Sequence, residues 1–145
     1  EALSLLEQNI TADKGNLELK ARRYKIEQHL ADALLSKGEA ESAILQYQTS
    51  FDSLYSSNPN KEGLIPWQHL TNEKVGDAYF YLAAKPNTPK EKKIKFLNLA
   101  KEQYEIALQA QKIQNLPPTL FGENGERLKN IEKKLAKCLG IIQTN

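Results

Sequence analysis

Apolar residues recur at intervals of three and four positions along most of the chain, which is the spacing of one face of an α-helix. Breaks that contain proline, glycine or asparagine separate six such stretches. The pattern predicts an all-α fold with helices over residues 1–9, 13–37, 39–57, 66–84, 89–114 and 123–142. Because most connections are short, we expect antiparallel neighbouring helices within a single domain of residues 1–145.

The composition also favours helices over sheets. Leu and Ala contribute 35 residues, whereas Val, Ile and Thr contribute 17. A formal net charge of +2 argues against an acidic disordered tail and against a strongly basic nucleic-acid binder. No apolar run approaches the roughly 20 residues that a membrane span needs, so we expect no transmembrane segment. The chain contains no methionine, so we expect a start made by cleavage or by choice of the expressed segment, within a larger protein.

Particular residues predict where helices begin and end. Gly38 is a typical C-terminal signal for the second helix, and Pro66 suits the first turn of the fourth. Thr88 is predicted to cap the fifth helix, with Pro89 at its first position. The last helix has one apolar stripe, which includes Cys138 and is typical of a terminal helix with a single neighbour. We therefore interpret Cys138 as a core residue.

Two successive helix pairs share an arrangement of small and aromatic residues. In the first pair, Ala31 is followed by Ala43, Tyr47 and Ser50. The second pair has its counterparts at Gly76, Ala100, Tyr104 and Ala107. Small residues at these places let two helices approach closely, and the large residues one turn on fill the gap between them.

This arrangement resembles the tetratricopeptide repeat, in which a helix with a large-small-x-x-aromatic signature precedes one with Ala-x-x-x-aromatic-x-x-Ala. The best match is Val75-Gly76-Asp77-Ala78-Tyr79 with Ala100, Tyr104 and Ala107. The distance from Ala31 to Gly76 is 45 residues, against about 34 in the family. A right-handed tetratricopeptide-like stack, a plain antiparallel bundle and another α-solenoid therefore remain alternatives.

The resemblance implies a concave surface, lined by the first helix of each pair, that holds an extended peptide. The matching positions are Gln28, Asp32, Leu35, Glu73, Asp77, Phe80 and Tyr81. The Lys and Asn with which some family members bind C-terminal carboxylates are absent from them. An acidic lining with nearby aromatic rings favours a basic or apolar segment as partner. We predict a non-catalytic module that binds a protein or peptide here. The alternative is that Tyr79, Phe80 and Tyr81 all pack against the last helix.

Residues that could carry catalysis are few and scattered. His29 and His69 stand alone in polar helical contexts, and we expect both at the surface or its boundary. One cysteine and two histidines cannot form a disulfide framework or a zinc site of the usual kind, so we predict no metal and no cofactor. Arg22-Arg23-Tyr24 could bind an anion or a phosphopeptide, although we favour a solvated helix face as the explanation.

Four lysines, Lys90, Lys92, Lys93 and Lys95, follow a proline-rich break. Residues 85–101 contain six lysines and one glutamate. Such a patch could attract an acidic protein, an anionic membrane or nucleic acid, although a solvated helix start also explains it. No aromatic residues interleave on the lysine face, and we expect no nucleic-acid partner. The alternatives to a peptide-binding module are a binder of acidic partners through these lysines, or a regulatory or structural segment of a larger enzyme or sensor.

Overall fold

A computed structural model describes residues 17–57, 64–114 and 126–144. The described chain is all-α and contains no strand. Its helices are α1 (Leu17–Ser36), α2 (Ala40–Ser57), α3 (Ile65–Ala84), α4 (Lys90–Gln114) and α5 (Glu126–Thr144). Where both fall within the described ranges, the predicted and observed helix ends agree to within about two residues. The predicted helix over residues 1–9 and the predicted starts at 13 and 123 lie outside them.

The chain divides into two compact units, Glu1–Lys61 and Glu62–Asn145. In the first unit α1 packs against α2. In the second unit α3 packs against α4, and α4 packs against α5.

The turn between α1 and α2 is built around Gly38. This glycine has φ 87°, a left-handed conformation that costs other residues energy. The amide of Glu39 donates to the carbonyl of Leu34 at 2.9 Å, and that of Gly38 to the carbonyl of Leu35 at 2.9 Å. The two bonds form a Schellman motif, which confirms the predicted glycine signal and lets α2 begin at Ala40.

The core of the first unit contains the small and aromatic residues that the sequence pattern singles out. Ala31 and Ala43 are fully buried, and Tyr47 is nearly so. Tyr24 meets Phe51 edge to face, with 6.4 Å between ring centroids and 74° between ring planes. Large rings therefore fill the space beside the close approach of the two helices.

The boundaries of α3 and α4 confirm one prediction and correct another. A proline stands at the start of α3, as expected for Pro66. The prediction that Thr88 caps α4 is wrong, because its hydroxyl donates to the carbonyl of Leu82 at 3.2 Å. It thereby satisfies one of the open carbonyls at the end of α3. The first bond of α4 runs from the Lys93 amide to the Pro89 carbonyl at 2.8 Å.

The core of the second unit is closed by α5. Ile131 and Cys138 of this helix are fully buried in a cluster with residues of α3 and α4: Ala83, Leu97, Ala100, Tyr104 and Ala107. The interpretation of Cys138 as a core residue is confirmed. Burial raises the pKa of its thiol to about 11, so the side chain is protonated at neutral pH.

The two histidines differ in a way that the sequence reasoning did not anticipate. The His29 side chain is 83% exposed, as expected. His69 is 1% exposed, so its predicted surface or boundary position is wrong. It lies two helical turns before Gly76, on the side of α3 that faces α4. Its Nδ1 lies 2.9 Å from the carbonyl oxygen of Ala107, and because a carbonyl can only accept, Nδ1 carries the proton.

Candidate functional site

The same hydrogen bond joins the two helices of each pair. In the second unit the hydroxyl of Tyr104 donates to Oδ1 of Asp77 at 2.6 Å. In the first unit the hydroxyl of Tyr47 donates to Oδ1 of Asp32. Both aspartates are among the predicted partner-binding residues, and both hold their own helix pair together.

The first-unit members of the predicted surface are partly taken up by internal contacts. Gln28 is 4% exposed, and its amide donates to Oγ of Ser50 at 2.7 Å. It also reaches the carbonyl of Tyr47, 3.4 Å away. Asp32 and Leu35 are half-buried. Gln28 therefore bridges α1 and α2, and of the three only Asp32 and Leu35 retain a substantial exposed part.

In the second unit, a lysine from α5 occupies the acidic positions of α3. Nζ of Lys134 lies 3.0 Å from Oε2 of Glu73 and 3.0 Å from Oδ1 of Asp77. Glu73 is 9% exposed, so this ammonium pairs a buried carboxylate. Burial opposes the charged form of Lys134, but the charge of Asp77 and hydrogen bonds to both carboxylates raise its pKa above the usual value. One of the two carboxylate charges of Glu73 and Asp77 is thus balanced from within the chain.

The hydroxyl of Tyr104 stays protonated in this environment. Burial raises its pKa above the usual range, and the neighbouring charge of Asp77 acts in the same direction. The group is therefore a hydrogen-bond donor across the physiological pH range. Together with Lys134 it fixes the carboxylate of Asp77 on two sides.

A small pocket opens beside these contacts. It has a volume of about 150 Å³ and is lined by Asp77, Phe80, Tyr104, Lys134 and Lys137. Nζ of Lys137 lies 5.3 Å from the centroid of the Phe80 ring. We call this site the α3–α5 pocket. It combines an aromatic ring, a fixed polar cluster and a lysine at its edge, which is a set of features that a protein segment can contact.

Four second-unit residues were predicted to line the surface, and the structure brings two of them into the pocket, Asp77 and Phe80. Glu73 is next to it through Lys134. Tyr81 is 39% exposed, and Nζ of Lys85 lies 5.5 Å from its ring centroid. Phe80 is half-buried against the core cluster that includes α5 residues. The alternative, that these rings pack against the last helix, therefore applies to Phe80 and not to Tyr81.

Sequence reasoning missed Tyr104, Lys134 and Lys137 as pocket residues. Tyr104 was assigned to packing alone, although its hydroxyl needs a partner when buried. Lys134 and Lys137 are three residues apart and therefore share one flank of α5. That flank lies beside the apolar stripe that predicts the docking of the helix. The spacing of the two lysines beside the stripe is visible in the sequence, but which neighbouring helix they face depends on tertiary structure.

The four lysines of the predicted basic patch lie in the first two turns of α4. Lys90, Lys92 and Lys95 are exposed, and Lys93 is half-buried. None of these side chains forms an ion pair or a hydrogen bond with another described residue. Successive residues are rotated by about 100° in an α-helix, so the four side chains surround the helix and do not form a stripe. We call them the lysine collar.

A second cavity, of about 200 Å³, lies within the first unit. Its lining residues are Lys20, Arg23, Tyr24, Glu27, Ser50, Ser53 and Leu54. Nε of Arg23 pairs with Oε1 of Glu27 at 2.7 Å, while Oε2 accepts from Gln46 at 3.0 Å. The Arg23 guanidinium of the Arg22-Arg23-Tyr24 motif is therefore already paired along its own helix.

Within the described ranges, no group of three or more His, Cys, Asp or Glu side chains could hold a metal ion. Nor is any helix in this part of the chain long and apolar enough to cross a membrane. No protein-family model matches the chain, and no curated protein and no solved structure matches it either.

Proposed function

We propose that this chain is a non-catalytic interaction module that binds a peptide or protein segment on its helical surface, with the α3–α5 pocket as the anchoring point. The observation that carries the proposal is the composition of this pocket: Asp77, Phe80, Tyr104, Lys134 and Lys137. An accessible aromatic ring beside charged groups suits one anchoring side chain of a partner and polar contacts around it.

The rigidity of the pocket supports the same proposal. Tyr104 is 1% exposed and bonded to Asp77, and Lys134 ties α5 to α3 through two carboxylates. A surface that is already ordered loses little conformational freedom when a partner binds. The chain therefore presents a preorganised site.

The packing of the helix pairs is consistent with a tetratricopeptide-like arrangement, which we propose as the architecture. In the second pair a small residue of the first helix lies against a tyrosine of the second. At Gly76 the approach is so close that an added Cβ would lie 2.7 Å from Cε1 of Tyr104. In this arrangement α3 and α5 are first helices of successive pairs, and the pocket lies on their shared side.

A peptide selection tests the proposal directly. The whole chain is immobilised, and a random peptide display library is selected against it. Selected peptides should bind the wild-type chain in solution and lose affinity for Phe80→Ala and Lys137→Ala. Lys129→Ala is the matched control, because Lys129 is an exposed residue of the same helix that does not line the pocket.

Folding of each variant is verified by circular dichroism and thermal unfolding. Lys137→Ala leaves the apolar core intact, so its result stands even if Phe80→Ala is destabilised. A selection that yields no binding peptide, or peptides that bind both pocket variants as well as the control, would overturn the proposal.

A further inference from the structure

We infer that the segment bound at the α3–α5 pocket is acidic, with Asp or Glu side chains on either side of an apolar residue. The inference rests on the proposed function and specifies its partner. It reverses the expectation from the sequence, where Glu73 and Asp77 favoured a basic or apolar partner.

The acidic residues already have an internal cation. Nζ of Lys134 is 3.0 Å from Oε2 of Glu73 and 3.1 Å from Oδ2 of Asp77. A partner's lysine would have to compete with the Lys134 ammonium for these oxygens, and Glu73 is itself only 9% exposed. A basic segment therefore gains little at these carboxylates.

Two other lysines near these carboxylates can meet a partner. Lys137 lies over the ring of Phe80, and Lys85 lies over the ring of Tyr81, at 5.3 and 5.5 Å from the ring centroids. Neither lysine forms an ion pair with a carboxylate among the described residues. Their stems can lie along the aromatic surface while the ammonium groups stay in water. Carboxylates of the partner would pair with both ammonium groups.

The lysine collar lies at the same end of the unit as Lys85. The helix α3 ends at Ala84 and α4 begins at Lys90, so the collar starts only a short turn beyond Lys85. The stacked rings of Tyr79 and Phe96, 6.4 Å apart, join the two helices there. Cations in the first turn of a helix oppose its dipole and lower its stability. Helix stability therefore gives no reason for the collar, whereas attraction of an acidic chain does.

The observations favour a protein segment over nucleic acid or a lipid surface. Phe80 and Tyr81 each have a lysine over one face of the ring, so a nucleobase that stacked on that face would have to displace the lysine. The collar surrounds α4, so its four side chains cannot rest together on a flat bilayer. A flexible acidic chain can reach lysines that point in several directions.

Binding is measured by fluorescence anisotropy on the whole chain. The probe is a short labelled peptide in which pairs of glutamates flank single leucines, and the control probe has lysine in place of glutamate. We expect the glutamate peptide to bind, and its affinity to fall with added salt. Lys85→Glu combined with Lys137→Glu should weaken it by about tenfold. Lys37→Glu combined with Lys129→Glu changes the net charge equally on exposed lysines outside the pocket and should have little effect.

Other outcomes overturn the inference and leave the proposed function to the peptide selection. Tighter binding of the lysine peptide would show that the partner is basic. Tighter binding of a single-stranded oligonucleotide, or of phosphatidylserine vesicles, than of the glutamate peptide would show a general polyanion or membrane surface. Equal loss of affinity in the two double variants would show that the pocket is not the binding site. Failure of every probe to bind would also overturn the inference.

Discussion

The hydroxyl of Tyr104 donates a hydrogen bond of 2.6 Å to Asp77, and Tyr47 makes the same bond to Asp32. Each aspartate directly follows the small residue at which its helix approaches the next one. Each tyrosine stands four residues after the alanine on the facing helix. The two pairs therefore share a hydrogen bond as well as a sequence pattern.

This bond predicts the effect of removing one hydroxyl. Tyr104→Phe should lower the free energy of unfolding by about 1 to 3 kcal/mol, because a buried, charge-assisted hydrogen bond loses its donor. The measurement is urea denaturation followed by circular dichroism. Tyr81→Phe is the control, since Tyr81 is 39% exposed and its hydroxyl makes no bond to another described residue. Equal stability of the two variants would show that the Tyr104 bond contributes nothing.

The close approach at Gly76 predicts that Gly76→Ala lowers the stability of the chain, although helix propensity alone favours alanine. Alanine is favoured over glycine inside a helix by about 1 kcal/mol. At Gly76, however, a Cβ would lie 2.7 and 2.9 Å from two ring carbons of Tyr104. We expect Gly76→Ala to destabilise the chain by about 1 to 3 kcal/mol, because the ring has to move within a packed core.

Gly140 provides the matched control for that substitution. It is an exposed residue of α5, and a Cβ built there meets nothing within 4 Å. Gly140→Ala should therefore stabilise the chain by up to about 1 kcal/mol. Denaturation of both variants under one set of conditions decides the matter, and stabilisation by Gly76→Ala would contradict the close packing.

Much of the fold follows from local sequence, whereas the pocket follows from contacts between distant residues. Gly38, Pro66 and the apolar spacing act within a few residues, so they predict the helix ends. Thr88 was misassigned because its hydroxyl has two acceptable partners, and only the path of the turn selects the Leu82 carbonyl. Lys134 was missed because it is 61 residues from Glu73, and no local pattern specifies that pairing.

The lysine collar predicts a gain of stability on charge reversal. Lys92 is exposed in the first turn of α4, where a negative charge interacts favourably with the helix dipole. Lys92→Glu should raise the free energy of unfolding by about 0.3 to 1 kcal/mol at low salt. Lys95→Glu is the control that separates the effect of position from that of charge. Lys95 is beyond the first turn, so the same charge reversal there should give a smaller change. Loss of stability in Lys92→Glu, or equal gains in both variants, would contradict this explanation.

Three groups of the second unit predict that stability falls in alkali. Burial raises the pKa of Cys138 from 9.0 to about 11, and burial also raises the pKa of Tyr104 above its ordinary 10.0. Above about pH 9 the unfolded chain therefore releases these protons while the folded chain keeps them, so the free energy of unfolding decreases as the pH rises. Burial lowers the pKa of Lys134, but its carboxylate partners outweigh burial and raise it above 10.5. Its contribution to stability is therefore complete below pH 10.5 and is lost as the pH rises through the folded-state pKa.

Urea denaturation at a series of pH values from about 7 to about 11 measures this slope, which is proportional to the difference in bound protons. The free energy of unfolding of the wild-type chain should be nearly constant up to about pH 8, since the Cys138 thiol, with an ordinary pKa of 9.0, is the first of the three groups to ionise in the unfolded chain. Cys138→Ala removes the group that ionises first in the unfolded chain, so the decline should begin about one pH unit higher. A wild-type stability that stays level through pH 11, or a variant curve parallel to the wild type, would show that the buried cluster of α3, α4 and α5 does not hold these protons.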